Sequence, residues 1–183
     1  MSESNRMKNQ LNDFVKYLIE NNKYSFHTIQ AYQNDIKFLI KYCQEYEKII
    51  SLNQVNHSVL RKVLVFLKKR KYSDRTIVRK ISSFRKFYKY LIKIGTINQN
   101  PAEYLQTPKI KKKLPEFLFY SEIDKLINSS DTKSDLNTRD KAILELLYGT
   151  GMRVAELTNL NHSDIDLLEN QIKVLGKGSK ERI

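Results

Sequence analysis

Residues 73–95 read SDRTIVRKISSFRKFYKYLIKIG. Ser73 or Asp74 can cap the start of a helix here, and Gly95 can end it. At about 100° per residue, Ile77, Ile81, Phe84, Tyr88 and Leu91 gather on one side. Arg75, Arg79, Ser82, Lys86, Lys89 and Lys93 gather on the other. The apolar side is what a small helical domain buries. A solvated basic face on a core helix is the plain reading of the other side. That face carries no interleaved acid, however, and Ser82 adds a neutral donor, a combination that suits phosphate contact.

Segments upstream share the same period. Leu11, Phe14, Val15, Leu18 and Ile19 recur at helical spacing. A second helix follows Ser25, with Ile29, Tyr32, Ile36, Leu39, Ile40 and Cys43 along one face. A third spans about 55–71 through Val59, Leu60, Val63, Phe66 and Leu67, and its basic end, Lys68 to Lys71, suits a helix C-terminus. An all-α domain of four main helices is therefore expected.

After Gly95 the chain is punctuated by Pro101, Pro108 and Pro115 without a sustained apolar period, as in a linker. Beyond it a helix is expected from Ser121, with Glu122 and Asp124 in its first turn. Another is expected over 138–148, carrying Ala142, Ile143, Leu146 and Leu147, with Tyr148 beside them in the core. Gly149 and Gly151 should break the chain before a short helix over 154–160. Residues 171–175 alternate like a strand, and GKGSKE follows as a turn.

Charge narrows the function. The 33 Lys and Arg outnumber the 20 Asp and Glu, for a net of +13. Residues 1–107 hold 20 basic and 8 acidic side chains, whereas 108–183 hold 13 and 12. Arg61 to Lys93 contributes 13 bases against the single acid Asp74. Such an excess attracts a polyanion, and duplex nucleic acid is the leading partner. A membrane surface is disfavoured, because the apolar faces are needed for the helical core. No run of 18 apolar residues exists and the N-terminus is polar, so the expected location is cytoplasmic, with neither span nor secretory leader.

Other chemistries fail on spacing. Cys43 falls among apolar helix positions and reads as a small core residue. His27, His57 and His162 share no metal-ligand spacing, so no metal is expected. GTGMRV follows an apolar helix and carries Val154 at the third-glycine position of a dinucleotide fingerprint, and GKGSKE lacks the spacing of a phosphate-binding loop.

TGMRVAEL at 150–157, NHSDIDL at 161–167 and VLGKGSKER at 174–182 together resemble the start of the catalytic domain of Xer-type tyrosine recombinases, in the phage integrase superfamily. The 24-residue step from Arg153 to Lys177 agrees. TIQAYQNDIKFL, RKISSFRKFYKYLIKIG, NQNPA and KKKLPEFL are similar to that family's core-binding domain and linker. The resemblance implies a mainly α chain: a SAM-like four-helix core-binding domain over 1–106, a linker over 107–120, and part of a mixed α/β catalytic domain over 121–183.

It also implies site-specific recombination of double-stranded DNA through a 3′-phosphotyrosyl link, without metal or other cofactor, by recombinase protomers assembled on DNA, of the chromosome-dimer resolution type. Arg153 matches the guanidinium that stabilises charge on the phosphorane oxygens. Lys177 matches the lysine that protonates the leaving 5′-oxygen. Glu156, three residues on from Arg153, could orient its guanidinium or be a surface carboxylate. A non-catalytic DNA-binding protein built on the helical domain is the alternative.

The family's H-x-x-R block and nucleophilic Tyr lie beyond the hairpin lysine, and all 11 tyrosines here precede Arg153. The expectation is a front portion of a recombinase, with a hairpin that lacks its return strand after Arg182 and is inactive alone. Incubated with a nicked suicide substrate, the chain should form no covalent DNA adduct on a denaturing gel. A stable adduct would make an existing tyrosine, Tyr148 first, the nucleophile.

Overall fold

Three polar side chains fix where the helices of the first unit begin. Ser25, Asn56 and Ser73 stand just before α2 (Phe26–Tyr46), α3 (His57–Lys69) and α4 (Asp74–Lys93). Each side-chain oxygen accepts a backbone N–H three residues on, from Thr28 at 3.3 Å, Val59 at 3.0 Å and Thr76 at 3.2 Å. These bonds satisfy donors that a helix start leaves open. α1 (Glu3–Glu20) precedes them. The computed structural model describes residues 3–21, 24–110, 114–129, 135–176 and 181–183. They divide into two units, Met1–Lys112 and Lys113–Ile183.

α4 ends as its sequence dictates. Gly95 takes φ 70°, its N–H reaches the Ile92 carbonyl at 2.9 Å, and the Thr96 N–H reaches Leu91 at 2.9 Å. α3 closes with the same pair of bonds around Lys71, at φ 58°.

α4 is the spine of the unit. Ile77, Ile81, Phe84, Phe87, Tyr88 and Leu91 are buried on it, against Phe14 of α1, Leu39 and Cys43 of α2, and Leu60 and Leu67 of α3. Phe14 meets the Phe87 ring edge-on, with centroids 5.1 Å apart. On α1 the buried stripe is Met7, Leu11, Phe14 and Leu18, steps of four, three and four residues, so Ile19 lies off it and is 55% exposed rather than core.

The linker begins later than the prolines suggest. Ala102 and Leu105 are buried, and Arg85 of α4 donates to their carbonyls, Nε to Ala102 at 3.2 Å and Nη2 to Leu105 at 2.6 Å. Residues up to Leu105 therefore pack with the helices.

The second unit comprises α5 (Tyr120–Asn128), α6 (Asp135–Thr150), α7 (Val154–Leu157) and two short antiparallel ladders. α6 runs through Gly149, and the break comes at Gly151, with φ 61°. Tyr148 is 54% exposed and Ala142 is also exposed, because the inward face of α6 is carried by Ile143, Leu144, Leu146 and Leu147. α7 is shorter than its apolar pattern suggests.

The expected single strand over 171–175 is two. β2 (Gln171–Ile172) pairs with β1 (Ile165–Asp166), and β3 (Val174–Leu175) pairs with β4 (Glu181–Arg182). Between them the Lys173 N–H turns to the Asp164 carbonyl at 2.8 Å. The expectation of a strand without a return partner is corrected: Glu181 and Arg182 supply it. The turn residues between β3 and β4, Lys177 among them, lie outside the described residues. No helix of the described residues is long and apolar enough to cross a membrane.

Among the described residues of the second unit only Met152 and Val174 are buried apolar side chains, against two dozen in the first. Local opening follows buried contact. In native-state hydrogen exchange, amides of α2 and α4 should be the slowest in the chain and those of α5 to α7 much faster. Equal protection in the two units would contradict this assignment of the core.

Candidate functional site

The outward cations of α4 are not equivalent. Arg75 and Lys89 are exposed and have no ion pair or hydrogen bond to another described residue. Lys86 and Lys93 lie over tyrosine rings, 5.2 Å from the centroid of Tyr24 and 4.9 Å from that of Tyr17. The neighbouring Tyr24 side chain pushes the Lys86 ammonium pKa up, so its charge is secure. Rings fix the direction of a flexible lysine while leaving its N–H groups available. Ser82 is exposed, but its hydroxyl donates to the Val78 carbonyl at 3.1 Å.

Arg79 faces a different task. Its Nη1 donates to Asp35 Oδ2 and to the Ala31 carbonyl, both on α2. Asp35, 1% exposed, also accepts Lys80 Nζ at 2.9 Å and Ser83 Oγ at 3.1 Å. One carboxylate thus collects three donors from a single turn of α4, as a buried charge must. Lys80 is itself buried, with Nζ 4.3 Å from the Phe38 ring centroid. The helical wheel put Arg79 among outward cations. It could not show the Asp35 carboxylate, 44 residues away, that claims part of its guanidinium.

In the second unit, Arg153 and Arg182 converge on Glu156. Arg153 is the N-cap of α7, and its backbone N–H donates to Glu156 Oε2 at 2.7 Å, closing the helix start. Arg153 Nη1 donates to Glu156 Oε1 at 2.8 Å. Arg182, from β4, donates through Nη2 to Glu156 Oε2 at 2.7 Å. The Glu156 side chain is the sheltered member of the group, 6% exposed against 68% for Arg153. The Arg153 backbone hydrogen bond is the largest influence on its pKa, outweighing the opposing desolvation, and with both guanidinia it holds the carboxyl below the usual range. Most of the Arg153 fork stays open to solvent, which suits it to an anion.

The Arg153–Glu156 pairing was readable from spacing, three residues apart at a helix start. Arg182 was not singled out, although it stands in the same VLGKGSKER stretch; only the strand pairing brings it to Glu156. Lys177 lies outside the described residues. Cys43 is buried, its thiol pushed up to about 12 by burial, as befits a core position. His57 turns Nδ1 to the Pro101 carbonyl at 3.2 Å. Among the described residues no cluster of His, Cys, Asp and Glu could hold a metal ion.

Comparison with known proteins bears on both units. Residues 11–95 match the model described as phage integrase, N-terminal SAM-like domain, and residues 116–183 match that of the phage integrase family. A tyrosine recombinase XerC of Anoxybacillus flavithermus is 40% identical over 172 residues, covering 94% of this chain and 57% of that protein. A tyrosine recombinase XerD of Listeria monocytogenes is 35% identical over 177 residues, covering 97% and 60%. The chain thus spans less than two thirds of the length of these relatives.

Among solved structures, a lambda integrase dimer bound to a COC′ core site matches 96% of this chain and 60% of its own at TM-score 0.74 and 18% identity. A Tn1549 transposon integrase in complex with transposon right end DNA matches 99% and 56% at TM-score 0.67 and 18% identity. At that identity the likeness is one of fold, mainly helical with the SAM-like domain first.

The Asp35 network sets a stability test. Asp35→Ala leaves Lys80 buried without its carboxylate and should cost about 3–5 kcal/mol in urea unfolding of the first unit. Arg79→Ala, which leaves Lys80 and Ser83 on Asp35, should cost distinctly less. Equal losses would mean that the network does not centre on the carboxylate.

Proposed function

The chain belongs to the phage integrase family, and from that premise we propose that it is the DNA-binding portion of a site-specific tyrosine recombinase. The helical domain, residues 1–106, grips duplex DNA. Residues 107–120 connect it to residues 121–183, which contribute to the catalytic domain. The observation that carries the binding role is the outer side of α4, where Arg75 and Lys89 are exposed without a described partner and Lys86 and Lys93 are held over tyrosine rings. Arg79 stands at the edge of this face with its guanidinium shared by Asp35, half-exposed and able to offer its remaining N–H groups to a phosphate.

Catalysis in this reading breaks and rejoins DNA through a 3′-phosphotyrosyl intermediate, without a metal. Arg153 binds the nonbridging oxygens of the phosphodiester in flight, where a permanently charged donor fork stabilises the gathering negative charge. Glu156 aims that fork. Lys177 gives a proton to the departing 5′-oxygen, so that the strand leaves as a hydroxyl rather than an alkoxide. The recombinase acts as protomers assembled on DNA, in the cytoplasm, in recombination of the chromosome-dimer type or its mobile-element relatives.

Salt dependence of binding tests the DNA contact. Affinity for a duplex should fall steeply as salt rises, because each neutralised phosphate releases condensed cations. Arg75→Ala with Lys89→Ala should flatten the slope of log affinity against log salt by about 1.8, roughly 0.9 for each lost phosphate contact. An unchanged slope would remove α4 from the interface.

A further inference from the structure

The β3–β4 pair joins only two residues on each side, Val174 with Arg182 and Leu175 with Glu181. A ladder so short cannot fix its own place. Lys173 and Glu181 add an ion pair at 2.9 Å, but both side chains are more than half exposed, so it contributes little. The Arg182–Glu156 bond differs in kind. It spans 26 residues of sequence, and its acceptor side chain is 6% exposed.

Its geometry divides the carboxylate between two duties. Oε2 accepts the Arg153 backbone N–H and Arg182 Nη2, each at 2.7 Å, from two different elements. Oε1 is left to Arg153 Nη1 at 2.8 Å. With one oxygen held from two directions, the carboxylate cannot turn about its own axis, and the direction from which Oε1 receives the Arg153 fork is set. Without Arg182 only one backbone donor at the helix start would restrain it. The three charged side chains carry a net of +1, so Arg182 also leaves the cluster positive where Arg153 and Glu156 alone would cancel.

We propose that Arg182 is a positioning residue for Arg153, acting through Glu156. This rests on the reading of Arg153 as the phosphate-binding guanidinium, and it adds to that reading the residue that keeps the guanidinium aimed. Arg182 anchors β4 to the start of α7 by the same bond, so that strand and Arg153 are tied through one carboxylate.

The 183-residue chain, without DNA, supplies the test by NMR with labelled Glu and Arg side chains. Lowering the pH through the Glu156 titration should move the Arg153 and Arg182 Nε–Hε resonances together, with the midpoint of the Glu156 carboxyl. Because that carboxyl is held low, its bonds should persist above the usual glutamate range and be lost only as pH falls through its own depressed midpoint. Asp164, Lys173 and Glu181 line the same pocket as Glu156, so the Asp164 and Glu181 carboxyls are followed separately.

Arg182→Met should raise the Glu156 midpoint, shift the Arg153 side-chain resonance, and speed exchange of the Arg153 amide about tenfold, the scale of one weakened hydrogen bond to a charged group. Arg182→Lys, which keeps a cation, should retain the low midpoint. An unmoved Arg153 resonance and amide in Arg182→Met would overturn the proposal. If methionine unfolds the second unit, the wild-type titration decides, and separate midpoints for the two arginines overturn it. The parent reading fails elsewhere: Arg153→Ala would leave phosphodiester cleavage by the complete recombinase unchanged, a result on which these DNA-free spectra do not depend.

Discussion

A single buried carboxylate sets the geometry of the first unit. Asp35 sits inside the packing of α2 against α4, where an unpaired charge would be expelled, so the chain has to bring donors to it. Arg79, Lys80 and Ser83 do so from one turn. Apolar packing alone would tolerate α4 at several rotations, since Ile, Phe and Leu fill space without demanding direction. Three hydrogen bonds to one carboxylate do not. Once α4 is fixed in rotation, the sides on which Arg75 and Lys89 emerge are fixed too, and the basic face follows from the core. A buried charge cluster of this kind adds little net stability, yet removing one of its partners is costly.

The second unit repeats the device nearer its surface. Glu156 gathers Arg153 and Arg182 as Asp35 gathers Arg79 and Lys80, with two cations sharing one acid in each case. The balance differs. In the first unit Lys80 is buried, so its charge is spent inside. In the second both guanidinia remain partly open, 68% and 45% exposed, and their charge is available to an anion. The same pairing thus keeps its charge inside in one place and leaves it open to solvent in the other.

Much of this was legible in the sequence, for reasons that can be named. Ser25, Ser73 and Gly95 act through neighbours three to five residues away, so local reading found all three. The apolar stripes of α2, α3 and α4 are periodic, and the helices follow. Ile19 and Tyr148 were misjudged because apolar character was taken for burial, although each lies one step off its helix's inward face. Strand pairing was harder. Two-residue strands have no period to detect, so β1 and the return strand β4 were missed, and with β4 the bond from Arg182 to Glu156. Asp35 was hidden for a similar reason: within α2 it is one acid on a helix, and only the partner helix gives it a task. The Arg153–Glu156 pairing was legible because the two stand three residues apart at a helix start.

The proposed DNA contact requires α4 to present Arg75, Lys86, Lys89 and Lys93 to a duplex while Asp35 holds the helix from within. Mapping a short duplex onto the isotopically labelled chain at low salt measures this directly. The largest shifts among side-chain nitrogens should fall on Arg75, Lys86, Lys89 and Lys93, with the Asp35 carboxyl and Lys80 unmoved. Shifts concentrated instead on Arg61, Lys68 and Lys69 of α3, with α4 silent, would contradict it.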